Sequence, residues 1–146
     1  MEIRVMTEKD YASVYQLWVS CAGMGLNNLD DSEEGIARFL KRNPETCLVA
    51  LEGESFIGAI LVGTDGRRAY IYHTAVHPAF RRKGVGKALV EQALSAVKKL
   101  GIHKVSLVVF EKNEQGNRFW QGLGFSVRND LLYRDQGLTE LIRLDT

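Results

Sequence analysis

A chain of 146 residues that is 45% hydrophobic has enough apolar material for one packed domain, taken here as residues 1–146, and too much for a disordered segment. Its formal charge of +1 excludes a nucleic-acid binder that works through bulk positive charge, so no nucleic-acid partner is expected. No apolar run is long enough to span a bilayer and no signal peptide opens the chain, so the expectation is a cytoplasmic protein without a membrane partner.

Ile3 and Val5 alternate with polar residues and predict a first strand. Thr7 offers an N-cap, with Asp10 as an acidic partner near the positive end of the helix dipole. Tyr11, Val14, Leu17, Trp18 and Cys21 follow at helical spacing. An irregular segment, Gly23-Met24-Gly25-Leu26-Asn27-Asn28, leads to a second helix carrying Ile36, Phe39 and Leu40, capped by Asp31 or Ser32 and ended by Asn43-Pro44. Residues 46–51 and 55–62 read as a hairpin around Glu52-Gly53-Glu54, and 69–76 as a further strand stopped by Pro78. From Gly86 the period turns helical through Leu89, Ala93, Val97 and Leu100, with Gly101 as its stop. Residues 104–110 form a near-continuous apolar run, the mark of a strand buried on both faces. A short helix is expected over 113–122, and 131–133 with 138–144 are expected to form a closing hairpin. This order predicts an α/β (mixed α+β) fold with helices on both faces of a mixed sheet. Exposed edges near the closing hairpin leave room for a homodimer.

The two cysteines, Cys21 on a helical stripe and Cys47 at a strand start, read as free buried thiols. No Cys/His spacing resembles a zinc site, and no metal is expected.

The most informative stretch runs from Val76-His77-Pro78 through Arg81-Arg82-Lys83-Gly84-Val85-Gly86-Lys87 to Leu89. A strand ends, a basic and glycine-rich turn follows, and a helix begins. Unpaired amides at a helix start carry partial positive charge, and glycine lets an anion come close to the main chain. A dinucleotide fingerprint fails because Leu89 stands where a small residue is needed. A P-loop fails because Ala88 stands where Ser or Thr is needed and Arg81 where its first glycine would be.

The longer segment Ala75-Val76-His77-Pro78 followed by Arg81-Arg82-Lys83-Gly84-Val85-Gly86 resembles the acetyl-coenzyme A motif of the GNAT superfamily of N-acetyltransferases. Asn113, Phe119-Trp120-Gln121-Gly122-Leu123-Gly124-Phe125 and Ile57-Gly58 are similar to further family segments in the same order. The resemblance implies a mostly antiparallel mixed sheet with a V-shaped splay between the fourth and fifth strands. It implies acetyl-coenzyme A as cosubstrate and an amine acceptor, attacked directly in a ternary complex. The diphosphate would sit on Arg82, Lys83, Gly84, Val85, Gly86 and Lys87, with Arg81 beside it. The pantetheine arm would pair with Ala75 and Val76, and Asn113 would hydrogen-bond to the cosubstrate. A backbone N–H near Val76 would hold the oxyanion.

Two family positions differ. The helix tyrosine that protonates the leaving thiolate is Trp120 here, and indole is no acid for that task. Tyr133 is a candidate substitute. The strand glutamate that serves as base is Tyr70 here, and Tyr70 or Tyr72, on one strand face, could hold a water for that role. His73 falls on the opposite face by alternation and reads as a packed polar group. Met24, Leu26 and Asn27 are the candidate acceptor-binding residues. The acidic run Asp30, Asp31, Glu33 and Glu34 either draws a cationic amine or simply favours the helix start. A non-catalytic coenzyme A sensor and an interaction module are the competing readings, and Trp120 argues for the sensor.

Overall fold

Apolar runs in the middle strands and mixed apolar and polar residues in the others place five strands in one sheet: β1 (Glu2–Val5), β2 (Leu48–Glu52), β3 (Ser55–Thr64), β4 (Ala69–Val76) and β5 (Val105–Ser106). The structure, a computed structural model, describes residues 1–145. The strands lie in the order β1-β2-β3-β4-β5. The first four pair antiparallel, and β5 pairs parallel to β4 through Ala69↔Val105 and Tyr70↔Ser106. Four helices accompany them: α1 (Tyr11–Val19), α2 (Glu33–Arg42), α3 (Val85–Lys99) and α4 (Glu114–Gly122). Among the described residues, no helix is long and apolar enough to cross a membrane. Two compact units emerge: Met1–Ser106 with the C-terminal stretch from Leu141, and Leu107–Glu140.

In the first unit the helices cover both faces of the sheet. Val14, Leu17 and Trp18 of α1 and Ile36 and Leu40 of α2 pack with Val49, Leu51, Ala59, Leu61 and Ala75 on one face. Each such apolar side chain contributes about 1.5–3 kcal/mol on burial. On the other face α3 lies directly on β3. A Cβ added at Gly58 would meet Leu89 Cδ1 at 2.8 Å and Val85 Cγ1 at 3.0 Å. Glycine therefore lets α3 seat against the strand, which fixes the start of that helix beside the end of β4.

A β-bulge sits in β4. Ile60 pairs with Thr74 and Val62 with Ile71, so Tyr72 and His73 together oppose Leu61. A bulge interrupts the two-residue alternation. The His73 ring therefore meets Trp18 of α1 (centroids 5.0 Å apart), on the same sheet face where Tyr72 meets Phe39 of α2 (5.4 Å). The expectation that His73 lies opposite Tyr70 and Tyr72 is corrected on this ground.

Two other expectations are corrected. Only Val105–Ser106 of the 104–110 run joins the sheet, and Val108 and Phe110 are exposed. An apolar run does not set ladder length: the pairing stops at Tyr70, just before the irregular backbone of the bulge. The closing hairpin over 131–133 and 138–144 does not form among the described residues. Instead, the stretch from Leu141 runs antiparallel beside the Gly23–Asn28 segment. Asn27 bridges Arg143, Leu144 N–H donates to the Leu26 carbonyl (3.0 Å), and Asn28 N–H donates to the Ile142 carbonyl (3.0 Å). Open main-chain groups in that glycine-interrupted segment supply the partners a second hairpin strand would have supplied. The edge on which a homodimer was expected is absent with the hairpin.

In the second unit, Asn113 caps α4, its Oδ1 accepting from Gly116 N–H at 2.9 Å. The helix ends in a Schellman motif at Gly124 (φ +92°). Gly124 N–H donates to the Gln121 carbonyl (3.1 Å) and Phe125 N–H to the Trp120 carbonyl (3.0 Å). The Trp120 and Phe125 rings meet at 5.2 Å, the hydrophobic contact that accompanies this cap.

Candidate active site

The turn after β4 is built to expose main-chain amides. His77 Nδ1 accepts from Ala79 N–H (3.1 Å) and fixes a 3-10 turn over Pro78–Phe80. Arg82 then takes φ +63° and Gly84 φ +82°, so two left-handed residues alternate with extended or helical ones. Such alternation curls successive N–H groups inward around a concavity, an anion nest. Gly84 occupies the N-cap of α3 without a side chain to cap it, and the first bond of the helix is Ala88 N–H to the Gly84 carbonyl (3.0 Å). Among the described residues, the backbone N–H groups of Arg82, Lys83, Gly84, Val85, Gly86 and Lys87 donate no hydrogen bond. A 15-residue helix adds the positive end of its dipole at this point. Lys83 lies over the Phe80 ring at 5.4 Å, and Lys87 reaches Glu91 at 3.9 Å, so cations flank the nest without filling it. Unpaired amides, glycine at the cap and flanking cations fit the diphosphate of a nucleotide-tailed ligand.

The strand edge continues from the nest. His77 N–H donates to the Ile57 carbonyl (2.8 Å), so the neighbouring pair Gly58↔Val76 is the non-hydrogen-bonded kind. The N–H and C=O of Val76 therefore point away from β3, toward the edge where β5 pairs only Ala69 and Tyr70. Arg81 Nε donates to the Val76 carbonyl at 3.1 Å and Cys21 Sγ approaches it at 3.5 Å. Arg81 is thereby turned to the strand edge, with Ala75 buried beside it.

The bulge brings a polar cluster to the α1/α2 side of the same strand. His73 Nε2 lies 2.6 Å from Asp31 Oδ1. Asp31 is buried, its Oδ2 accepts from Asn27 N–H (2.8 Å), and its carbonyl accepts from the Tyr11 hydroxyl (2.7 Å). Burial pushes the Tyr11 hydroxyl up from its ordinary value, which keeps it a donor. Ser32, not Asp31, caps α2, accepting from Gly35 N–H at 3.0 Å. Sequence reasoning saw Asp31 as a possible helix cap or part of an acidic run, and His73 as packing. A bulge formed by Tyr72 and His73 has no glycine or proline to announce it.

The other expected site residues separate. Tyr70 and Tyr72 stand together (rings 4.7 Å apart), half-buried and exposed respectively, on the α1/α2 face. Leu26 is 1% exposed and its side chain belongs to the core cluster. Met24 is half-buried, and its N–H and that of Leu26 donate to Asp145 (3.0 and 2.7 Å). Asn27 turns inward: Oδ1 accepts from Leu29 and Asp30 N–H (2.9 and 2.7 Å) and Nδ2 donates to Asp30 (3.0 Å). Its side chain holds the loop that presents Asp31. Asn113 and Tyr133 belong to the second unit; the Asn113 oxygen serves as helix cap and Tyr133 is exposed. Both cysteines are free and buried. Burial pushes the Cys47 thiol up to about 11, so it offers no thiolate for an acyl-enzyme.

Residues 11–125 match the sequence profile of the Acetyltransferase (GNAT) family. The chain is 31% identical over 132 residues to Acetyltransferase YE1169 of Yersinia enterocolitica, covering 90% of this chain and 92% of that one. It is 31% identical over 140 residues to Acetyltransferase SG1711 of Sodalis glossinidius, covering 96% and 97%. Among solved structures, Ard1 from Thermoplasma volcanium superposes with a TM-score of 0.76 at 29% identity, covering 87% of this chain and 83% of that one. The PaiA N-acetyltransferase from Thermoplasma acidophilum in complex with coenzyme A superposes with a TM-score of 0.77 at 21% identity, covering 88% and 92%, a likeness of fold. The family profile and these relatives define the class as acyl-group transferases. The chain belongs to the GNAT acetyltransferase family.

Proposed function

We propose that this protein moves an acetyl group from acetyl-coenzyme A to a primary amine of a small molecule or protein, by direct attack in a ternary complex. The observation that carries the reading is the run of unpaired amides from Arg82 to Lys87 at the start of α3. These amides grip the diphosphate, with the Lys83 and Lys87 ammonium groups nearby. The pantetheine arm lies along Ala75 and Val76 as an added strand would. The Val76 N–H, turned away from β3, donates to the thioester oxygen and strengthens that bond as charge develops there. Tyr70 and Tyr72 present an aromatic wall to the acceptor on the α1/α2 side, with Met24 at the loop beyond. Thiolate departure proceeds without an acid at Trp120, whose ring completes the α4 cap. The high thiol pKa of Cys47 supports direct transfer over an acyl-enzyme.

The test measures free thiol released from acetyl-coenzyme A with a panel of amines: lysine, spermidine and a peptide with a free N-terminal alanine. Amine-dependent release is expected, together with a raised melting temperature in coenzyme A. A melting shift with no release for any amine identifies a sensor. No shift at saturating coenzyme A removes the site altogether.

A further inference from the structure

The arrangement around His73 places a candidate base on the bulge of β4. We propose that His73, held by Asp31, accepts the proton that the acceptor's ammonium must lose before it can attack; this inference rests on the acetyl transfer proposed above. An ionised Asp31 can only accept a hydrogen bond, so the Nε2 it touches at 2.6 Å carries the hydrogen. In the neutral ring the lone pair then sits on Nδ1. Among the described residues, Nδ1 makes no hydrogen bond, and 16% of the His73 side chain reaches solvent. The carboxylate behind it is only 5% exposed and is fixed at its other oxygen by Asn27 N–H. A buried carboxylate at Nε2 orients the ring and sets its tautomer, leaving Nδ1 as the open nitrogen.

Position supports the role. The edge-facing main-chain groups of β4 are those of Val76 and, two residues back by the same alternation, Thr74. His73 is the next residue, and the bulge turns its ring to the α1/α2 side, beside Trp18. The titratable neighbours are Asp31 before α2, Tyr11, Tyr15 and Cys21 on or after α1, and Tyr72 in β4; β3 faces the bulge with the apolar Leu61.

The step balances. The ammonium gives one proton to Nδ1, and its freed electron pair forms the N–C bond to the acetyl carbon. The C–S bond breaks with its electron pair on sulfur. The second proton lost by nitrogen goes to that sulfur, and His73 returns the first to water.

The experiment compares wild type with His73→Gln, which keeps a donor toward Asp31 but has no basic nitrogen. Thiol release is read with two nucleophiles at pH 7: the best alkylamine of the panel, which is protonated, and hydroxylamine, which is not. The variant loses about 100-fold in kcat with the alkylamine and less than about threefold with hydroxylamine. Retained hydroxylamine turnover also shows that the variant is folded. The alkylamine deficit shrinks as pH rises and free amine becomes abundant. Asp31→Asn, a change at the positioning residue, lowers kcat with the alkylamine far more than with hydroxylamine, because the ring loses the carboxylate that orients it. Equal losses with both nucleophiles, a pH-independent deficit, or no loss with the alkylamine each overturn the assignment. Wild-type protein that releases no thiol with either nucleophile instead overturns the acetyl transfer on which it rests.

Discussion

Two regions at the same strand end are made in opposite ways. The nest from Arg82 to Lys87 is main chain: its donors are amides, and its shape comes from two positive φ values and a helix start. The cluster of His73, Asp31, Tyr11 and Asn27 is made largely of side chains, from residues 42 positions apart at its central contact. A main-chain site needs only local sequence, because a few consecutive residues fix all of its geometry. A side-chain site needs the whole fold, because a bulge in β4 and a loop before α2 must meet. In the proposed reaction the first would grip a diphosphate tail and the second would act on the acceptor amine.

This contrast can be broken from the nest side first. A Cβ at Gly84 meets nothing within 4 Å, and aspartate tolerates left-handed backbone better than most residues. Gly84→Asp therefore leaves the fold standing while setting a carboxylate among the amides. Titration calorimetry is expected to show coenzyme A affinity reduced at least about 100-fold, or about 2.7 kcal/mol. Retained affinity would show that the amides do not hold the phosphates.

A nearer side-chain pair sharpens the comparison through stability. Arg4 holds Asp10 with two hydrogen bonds of 2.8 and 2.9 Å, and Thr7 N–H adds a third at 2.8 Å. The Arg4 guanidinium holds the buried Asp10 carboxyl below its usual range. A carboxyl lowered in the folded state stabilises fully above its unfolded pKa, and that contribution fades as pH falls through the folded value. Asp10→Asn is expected to cost about 2 kcal/mol at pH 7 by denaturant titration, and the gap to wild type to close in acid. A gap that persists unchanged at low pH would assign the loss to packing.

Gly58→Ala links the two regions through α3. The new methyl group crowds Leu89 and Val85 at 2.8 and 3.0 Å, so α3 must shift off β3. A loss of about 1–2 kcal/mol is expected, with coenzyme A affinity falling a few-fold as the nest moves. Unchanged affinity alongside reduced stability would show the nest to be independent of helix seating. The smallest effect belongs to Cys47→Ala, for which thiol release should stay within about twofold of wild type because the buried thiol takes no part. A collapse in rate would reinstate an acyl-enzyme.

The sequence made the locally determined parts readable. The helices α1, α2 and α3, the strands β2 to β4 and the amide-rich turn all follow from apolar spacing, Pro78 and the glycines at 84 and 101. The 104–110 run misled because apolar composition fixes neither where a partner strand ends nor whether a segment is covered: Val108 and Phe110 stand exposed. The expected hairpin at 131–133 and 138–144 failed because alternation cannot choose among partners, and the Gly23–Asn28 segment offered open main-chain groups to the stretch from Leu141. The burial of Leu26 was not legible because an irregular loop gives no period from which to infer it. His73 and Asp31 stayed hidden for a further reason: a one-residue bulge moves a side chain across the sheet without changing composition.

The most direct measurement compares coenzyme A with pantetheine, which shares the thiol arm but lacks the diphosphate and nucleotide, as ligands in calorimetric titrations at equal salt. If exposed amides before α3 supply the grip, coenzyme A binds and pantetheine at the same concentration does not. Equal affinity for both would place recognition on the arm alone and contradict the account.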